Sequence, residues 1–264
     1  MNRRADDFEP DAQVRAQADP ECGSEVPPLC DRLLLTSSQS RELDRICAAH
    51  FGLPTRVLMQ RAGQALAELV MACARDQFPQ AALIWCGKGN NGGDGLVAAC
   101  LLLARGWTVR VWHPQSQTAP RAELAELAEV TALAANMLGP QLVRDQPPDG
   151  AWTNIAGAPI LVDALLGTGL TRAAEGPVAQ AIEAINAIAH SRRCTVVSAD
   201  VPSGMDADTG IAAGACVRPH FTLCFGTAKP GVRANQLAGK ISVAGLGIPD
   251  AALRMAAASA PDRA

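Results

Sequence analysis

The chain contains no tyrosine, and aromatic residues make up only 3% of it. A protein that stacks the bases of a nucleic acid needs aromatic side chains and a basic surface. Acidic residues instead outnumber basic ones, 26 against 23, and no basic stripe is present. No stretch approaches the roughly 18 uninterrupted apolar residues of a membrane-spanning helix. The sequence therefore predicts neither a nucleic-acid partner nor a membrane span.

Secretory and disulfide signals are also missing. The N-terminus lacks the apolar centre of a signal peptide, and the nine cysteines are scattered without a CxxC pair. Most of them lie inside apolar segments, as reduced core cysteines do, which argues against a disulfide framework or a zinc site. Residues 1–30 are charged, carry prolines and have no hydrophobic period. We predict a disordered tail over residues 1–30, a folded domain over residues 31–264 and a cytoplasmic location.

What the chain does have is an alternation of strand-like and helix-like segments. Two helical segments, residues 35–52 and 53–76, come first. The predicted strands are residues 81–86, 107–114, 158–167, 194–204, 220–226 and 239–247, and the predicted helices between them are residues 95–106, 120–138 and 176–191. Strands that alternate with helices predict an α/β fold, with a mostly parallel sheet covered on both faces and extra N-terminal helices.

The segment CGKGNNGGDG, residues 86–95, joins the first strand to a helix. Its Gly87–Gly92 string satisfies G-x-G-x-x-G, whose backbone amides can hold a diphosphate at a helix N-terminus. A conventional dinucleotide site also places an acid roughly 20 residues on, to bind the ribose. The second strand ends in VRVWHPQ without an acid. This disfavours an ordinary NAD(P) oxidoreductase, and a tight turn without a ligand remains an alternative.

Two further loops carry polar residues where strands end. Asp163 ends the strand before GTGLTR, and Asp200 ends the strand before VPSG. A carboxylate there suits acid–base chemistry, although capping of the turn explains each aspartate equally well. Oxygens of Asn91, Asp163 and Ser203 could meet around a cation, and their small charge favours a monovalent ion. Lys229 follows a fourth strand, either in the same crevice or as a solvated surface lysine.

Several strings together resemble the YjeF N-terminal domain family, the NAD(P)HX epimerases. They occur in the family's order between about residues 33 and 249: LMQRAG, CGKGNNGGDGLVAA, VDALLGTGL, DVPSGMDADTG and FGTAKPG. The resemblance implies a three-layer Rossmann-like fold. It also implies a repair enzyme whose substrates are hydrated NADH and NADPH, and which interconverts their R and S epimers.

The resemblance further implies roles for individual residues. Nucleotide-contacting residues would be Asn90, Asn91, Gly92, Gly93 and Asp94, and phosphate-contacting residues would be Gly167, Thr168, Gly169, Leu170, Thr171, Arg172 and Ala173. A potassium ion would be held by Asn91, Asp163 and Ser203. Asp200 would lie against the damaged nicotinamide ring as the acid–base residue, with Lys229 as a helper.

Two positions depart from the family pattern. Gln60 stands where Glu is frequent, and His220 stands where Asp is usual. Neither lies in the three site loops, so we expect effects on local packing or capping more than on activity. Many bacterial relatives continue into a dehydratase domain. This chain ends soon after GLGIPD, and we expect a stand-alone epimerase, with a separate NAD(P)H-hydrate dehydratase as pathway partner and a homodimer left open.

A non-catalytic nucleotide-binding scaffold is the main alternative, because the same fold occurs in RNA-decapping scaffold proteins. A scaffold can keep the glycine-rich turn while it loses Asp200 or Lys229. Both residues are present here, which favours the enzyme.

Overall fold

The computed structural model of the chain describes residues 28–74, 80–114, 125–144, 155–170, 172–233 and 235–259. Most of the predicted tail, residues 1–27, lies outside the described residues, so its disorder stays a prediction. The last three residues of that predicted segment are described. There Leu29 begins a short helix, two residues before the domain boundary that the sequence suggested.

The described chain forms eight α-helices and seven strands. The helices are α1 (Leu29–Arg32), α2 (Ser37–Phe51), α3 (Thr55–Cys73), α4 (Asn90–Ala104), α5 (Ala125–Leu138), α6 (Gly176–Arg192), α7 (Pro230–Arg233) and α8 (Asp250–Ala258). The strands are β1 (Ala81–Cys86), β2 (Thr108–Trp112), β3 (Leu142–Val143), β4 (Ile160–Ala164), β5 (Val196–Ala199), β6 (Phe221–Phe225) and β7 (Lys240–Ala244). None of the helices described here combines the length and apolar character that crossing a membrane requires.

All seven strands form one parallel sheet in the order β3-β2-β1-β4-β5-β6-β7. The order reverses between β1 and β4, which creates a crevice at their carboxyl ends where α/β proteins bind ligands. This confirms the predicted α/β class. The sequence reading missed β3, which has two residues and therefore no detectable period, and it also missed α8.

Alternate residues of each strand face opposite helical layers, as the period of a buried strand requires. In β1, Ile84 and Cys86 pack in the core formed with α3 and α4. Leu83 and Trp85 pack in the core formed with α6. The sheet is therefore the middle of three layers.

The extra helix α2 is fixed at both ends. Thr36 and Gln39 form a capping box at its start, and Gly52 ends it in the left-handed conformation. The Ser37 amide also donates to Asp208 Oδ1 at 2.7 Å, which ties α2 to the loop after β5. Leu43 and other apolar residues of α2 pack against α8. These contacts hold α2 beside the carboxyl edge of the sheet.

Candidate active site

A cavity of about 630 Å³ lies at the carboxyl edge of the sheet, where the strand order reverses. The loops after β1, β4, β5 and β6 line one part of it, and α2 and α3 line another. The loops predicted from the sequence therefore converge on one space.

The helix α4 begins at Asn90, inside the glycine-rich segment. The sequence had predicted that this helix begins at Gly95. The first helical hydrogen bond of α4 joins the Gly93 amide to Gly89 O at 3.2 Å. The preceding amides of the helix start have no helical partner, and Asn90 and Asn91 line the cavity. The segment therefore presents a helix N-terminus to the cavity.

Two glycines of this segment serve close packing. A Cβ on Gly92 would lie 1.9 Å from Gly87 O, and a Cβ on Gly95 would lie 2.7 Å from the Ala164 Cβ. Of the predicted nucleotide-contacting residues, Gly92 and Gly93 are buried within α4 and do not line the cavity.

Gly92→Ala is expected to destabilise the protein by about 1–3 kcal/mol, because the added methyl group must displace backbone at the helix start. The measurement is the free energy of unfolding in urea, together with nucleotide affinity. Gly89→Ala is the matched control, since nothing lies within 4 Å of its Cβ position. Equal stability of the two variants would contradict the packing role of Gly92.

Asp200 turns the chain sharply after β5 and adopts a left-handed backbone with φ of 63°. Such a conformation is uncommon outside glycine and is concentrated at functional sites. Asp200 Oδ1 accepts hydrogen bonds from the Phe225 amide, at 3.2 Å, and from Lys229 Nζ. Asp200 Oδ2 lies 3.4 Å from where a Cβ on Gly167 would sit. The side chain therefore lines the cavity between two predicted loops.

Lys229 is buried, which rules out the solvated surface lysine considered from the sequence. Its ammonium donates to Asp200 Oδ1, to Phe225 O at 3.1 Å and to Thr227 O at 3.0 Å. Burial lowers the pKa of Lys229, but the Asp200 carboxylate, together with Cys224 and Asp44, raises it, and the net pKa is raised. All three N–H groups of a protonated lysine thus have protein partners, so Lys229 holds Asp200 in place.

Two more carboxyl groups line the cavity, Asp94 on α4 and Asp44 on α2. Burial, and then the charges of Asp200 and Asp44, raise the pKa of Asp94 well above its usual range. Burial raises the pKa of Asp44 to about 6, although Lys229 opposes the shift. Both carboxyl groups therefore hold their protons to a higher pH than an exposed aspartate does.

The sequence reading missed Asp44. No motif marks it, because it comes from the first long helix rather than from a strand end. One signal was available: Asp44 falls beside Leu43 and one turn before Cys47, on the apolar side of α2. An acid at such a position needs a reason for its burial.

Asp163 is fully buried at the end of β4. Its Oδ2 accepts from Ser198 Oγ at 2.8 Å and from the Ser203 amide at 2.9 Å. Its Oδ1 accepts from Ser203 Oγ and from the Leu165 amide. Burial raises the pKa of Asp163, and these hydrogen bonds oppose the rise.

Backbone groups of Leu166 connect two of the predicted cation ligands, Ser203 and Asn91, and Ser203 is bonded to the third, Asp163. The Leu166 amide donates to Ser203 Oγ at 2.9 Å, and its carbonyl accepts from Asn91 Nδ2 at 3.0 Å. Asn91 Oδ1 is buried and has no hydrogen-bond partner among the described residues. Asn91, Asp163 and Ser203 therefore form one cluster with an unsatisfied acceptor beside a buried carboxyl group.

The predicted phosphate loop is only partly at the cavity. Gly167, Thr168 and Gly169 line it. Leu170, Arg172 and Ala173 are described but do not line it, and Arg172 is exposed. Thr171 lies outside the described residues.

The two departures from the family pattern lie away from the cavity. Gln60 is exposed on α3. His220 Nδ1 accepts from the Val196 amide at 3.0 Å and so caps the start of β5. Like aspartate, a neutral imidazole can accept this bond.

Known proteins are similar to this chain. The family model described as YjeF-related protein N-terminus matches residues 55–231. The NAD(P)H-hydrate epimerase of Rhodopirellula baltica is 32% identical over 223 residues, which are 83% of this chain and 86% of that protein. The NAD(P)H-hydrate epimerase of Limosilactobacillus fermentum is 31% identical over 80% of this chain and 95% of that protein.

Longer relatives are matched over part of their length. The bifunctional NAD(P)H-hydrate repair enzyme Nnr of Moorella thermoacetica is 35% identical over 220 residues, which are 82% of this chain and 41% of that protein. The chain thus spans about two-fifths of that relative.

The crystal structure of the yeast protein YNL200c superposes with a TM-score of 0.71, at 21% identity, over 88% of this chain and 96% of that one. That similarity supports the fold. From the family match and the relatives of similar length, the chain belongs to the family of YjeF-related N-terminal domains.

Proposed function

We propose that this chain is an NAD(P)H-hydrate epimerase, an isomerase that interconverts the R and S epimers of hydrated NADH and NADPH. The relatives that it matches over most of their length are named for this activity. One observation carries the proposal for this chain's own residues. The same cavity is lined by the N-terminus of α4 and by the salt bridge between Asp200 and Lys229.

The binding half of the site suits a dinucleotide. Amides at the start of α4 and of the Gly167–Gly169 loop can donate to phosphate oxygens, and the helix dipole favours a negative group there. Asp94 is buried nearby, and burial raises its pKa, which favours the protonated form that can donate a hydrogen bond to phosphate.

The reacting half of the site suits acid–base chemistry. In the hydrate, the hydroxyl group on C6 is next to the ring nitrogen, whose lone pair can expel it. Re-addition of water to the other face then inverts C6. Asp200 is placed to exchange a proton with that water, and Lys229 keeps its carboxylate oriented. Proton transfer from a positioned group typically contributes ~10²- to 10⁴-fold.

A potassium ion fits the cluster of Asn91, Asp163 and Ser203. The unsatisfied Asn91 Oδ1 is an acceptor that a cation would satisfy, and Asp163 supplies a buried carboxyl group. A monovalent ion suits this single carboxylate with neutral oxygens better than Ca²⁺, which requires more ligands and charge. Bound there, the ion would fix the loops after β4 and β5 and add positive charge close to a dinucleotide phosphate.

Exchange of potassium for tetramethylammonium is expected to lower the melting temperature and weaken nucleotide binding, because the organic cation is too large for the cluster. Asn91→Ala should abolish the dependence of melting temperature on potassium, since it removes the free acceptor. Asn90→Ala is the matched control, because Asn90 is exposed and should keep that dependence. The same melting temperature in both salts would remove the ion from the site.

The activity test is incubation with one purified hydrate epimer and no nucleoside triphosphate, followed by chromatographic separation of epimers. Equilibration faster than in the enzyme-free control supports the epimerase. A change in cofactor redox state would identify an oxidoreductase, and binding without turnover would identify a scaffold.

We also infer which enzyme acts after this one and where in the cell both act. An epimerase needs an enzyme that consumes one epimer, so a dehydratase acting on the hydrate is the expected pathway partner. Both would act in the cytoplasm, where NADH and NADPH are used.

A further inference from the structure

An aspartate on α2 enters the cavity although it belongs to no sequence motif. Asp44 lines the cavity together with Asp94, Asp200 and Lys229. The contacts of Asp208 and α8 with α2 fix the helix that carries it. Asp44 is thus a partly buried titratable group on a fixed helix, facing the proposed catalytic site.

Inversion at C6, which rests on the proposed epimerase function, needs proton transfer on both faces of the ring. The hydroxyl group leaves from one face and needs a proton to depart as water. The incoming water adds to the other face and must lose a proton. Asp200 carries the negative charge of a salt bridge with Lys229, which suits it to accept that proton. A donor is then required on the opposite face.

Two carboxyl groups near Asp200 are candidates for the donor. Asp94 lies near the start of α4, whose N-terminus is expected to bind the diphosphate, so we assign it to the binding half of the site. Asp44 lies on α2, which lines a different part of the cavity from the loop that carries Asp200. The pKa of Asp44 is raised to about 6, by burial and by Asp200 against the opposing charge of Lys229. General acids are most effective when their pKa lies near the working pH. The comparison favours Asp44.

Other charged and titratable groups also face the cavity around Asp44. Arg41 on the same helix and Lys88 after β1 line it and add positive charge. The thiol of Cys47 has a pKa of about 11, raised by burial first and by Asp44 second, and it stays neutral.

We propose that Asp44 is a second catalytic residue, which transfers a proton to the leaving hydroxyl group on the ring face opposite Asp200. The C6–O bond breaks, the nitrogen lone pair forms a C=N bond, and the Asp44 proton leaves with the oxygen as water. A water molecule then adds to C6 from the other face, its electrons return the C=N pair to nitrogen, and its proton passes to Asp200. The reverse reaction starts with the proton on Asp200.

Because one of the two carboxyl groups must carry a proton, the rate of epimer interconversion should depend on pH. In both directions the active enzyme carries one proton on the pair formed by Asp44 and Asp200. The pair loses that proton as the pH rises through the Asp44 pKa, about 6. The value of kcat/KM should therefore fall above that pH, and by the same factor in both directions.

Asp44→Asn tests the proposal, with Glu42→Gln as the matched control because Glu42 lies on α2 outside the cavity. Epimer interconversion is measured from each purified epimer across the pH range, with the enzyme-free rate subtracted. We expect Asp44→Asn to lower kcat by ~100-fold with little change in KM, and to lose the fall above pH 6. Its melting temperature at neutral pH should not drop, because the substitution removes a buried charge.

The possible results distinguish a failure of the proposed function from a failure of the proposed role of Asp44. A parent protein that does not equilibrate the epimers overturns the proposed function, and the role of Asp44 with it. An active parent together with an Asp44→Asn variant of parental rate and pH profile overturns the role of Asp44 alone. If Asp44→Asn does not fold, the parent's own profile decides, and the absence of a fall near pH 6 rejects the proposal.

Discussion

Asp200→Asn is expected to lower the turnover of hydrated NADH by ~100-fold or more, because the amide cannot exchange a proton. The KM should change little, since the diphosphate is expected to contact the start of α4 and the Gly167–Gly169 loop. Asparagine keeps an oxygen that can accept from Lys229 Nζ and from the Phe225 amide. The variant should therefore fold, and separation of epimers from one purified hydrate measures both constants.

Asp250→Asn is the control for this variant, because Asp250 is exposed in the first turn of α8. It removes the same charge and should leave kcat unchanged. A folded Asp200→Asn protein that works at the parental rate would contradict the assignment. A loss of stability and nucleotide affinity together, without a separate loss of kcat, would show that Asp200 only holds the turn after β5.

Lys229→Met is expected to destabilise the protein by about 3–5 kcal/mol, the typical result of removing one partner from a buried ion pair. Methionine fills the space of the lysine stem but removes the ammonium that donates to the Asp200 carboxylate and to the carbonyls of Phe225 and Thr227. The free energy of unfolding, measured with urea, gives the loss. Lys240→Met is the control, since Lys240 is exposed at the start of β7.

A double variant separates charge from packing. Lys229→Met with Asp200→Asn removes both charges, so it should recover part of the stability that Lys229→Met loses. Addition of the two single effects would contradict the pairing.

Alkaline pH probes the same salt bridge. The pKa of Lys229 is raised in the folded protein, so its contribution is complete below the unfolded value of about 10.4. That contribution is lost as the pH rises through the folded pKa, and the corresponding decline should be missing in Lys229→Met.

The strand-helix alternation and the loop motifs could be predicted because both are local properties of the chain. A buried strand such as Ala81–Cys86 shows as an apolar run, and parallel strands put their following loops at one edge. The placement of Asp200 at the cavity follows from that geometry, whereas Asp163 ends its strand at the same sheet edge but is fully buried and does not line the cavity. The two-residue strand Leu142–Val143 could not be predicted, because it is too short to show a period.

The glycine-rich segment shows where local reasoning stops. The sequence predicted a turn up to Gly95 and a helix from there, whereas Asn90–Gly95 are already helical. Gly92 and Gly95 are required because the Gly87 carbonyl and the Ala164 side chain occupy the space a Cβ would need. Such a requirement arises from contacts between elements, and no spacing rule in the sequence reports it.

By itself, the sequence determined the α/β class, the loops that meet at the sheet edge and the family resemblance, because periodicity and motif order are carried along the chain. Only the tertiary structure decided that Lys229 forms a salt bridge with Asp200 and that Asp44 lines the cavity. Asp44 and Asp200 are far apart in the chain, and both line the cavity because α2 is tied to Asp208 and packed against α8. Long-range packing of this kind sets the burial of a carboxyl group and hence its pKa, which determines whether it can transfer a proton at working pH.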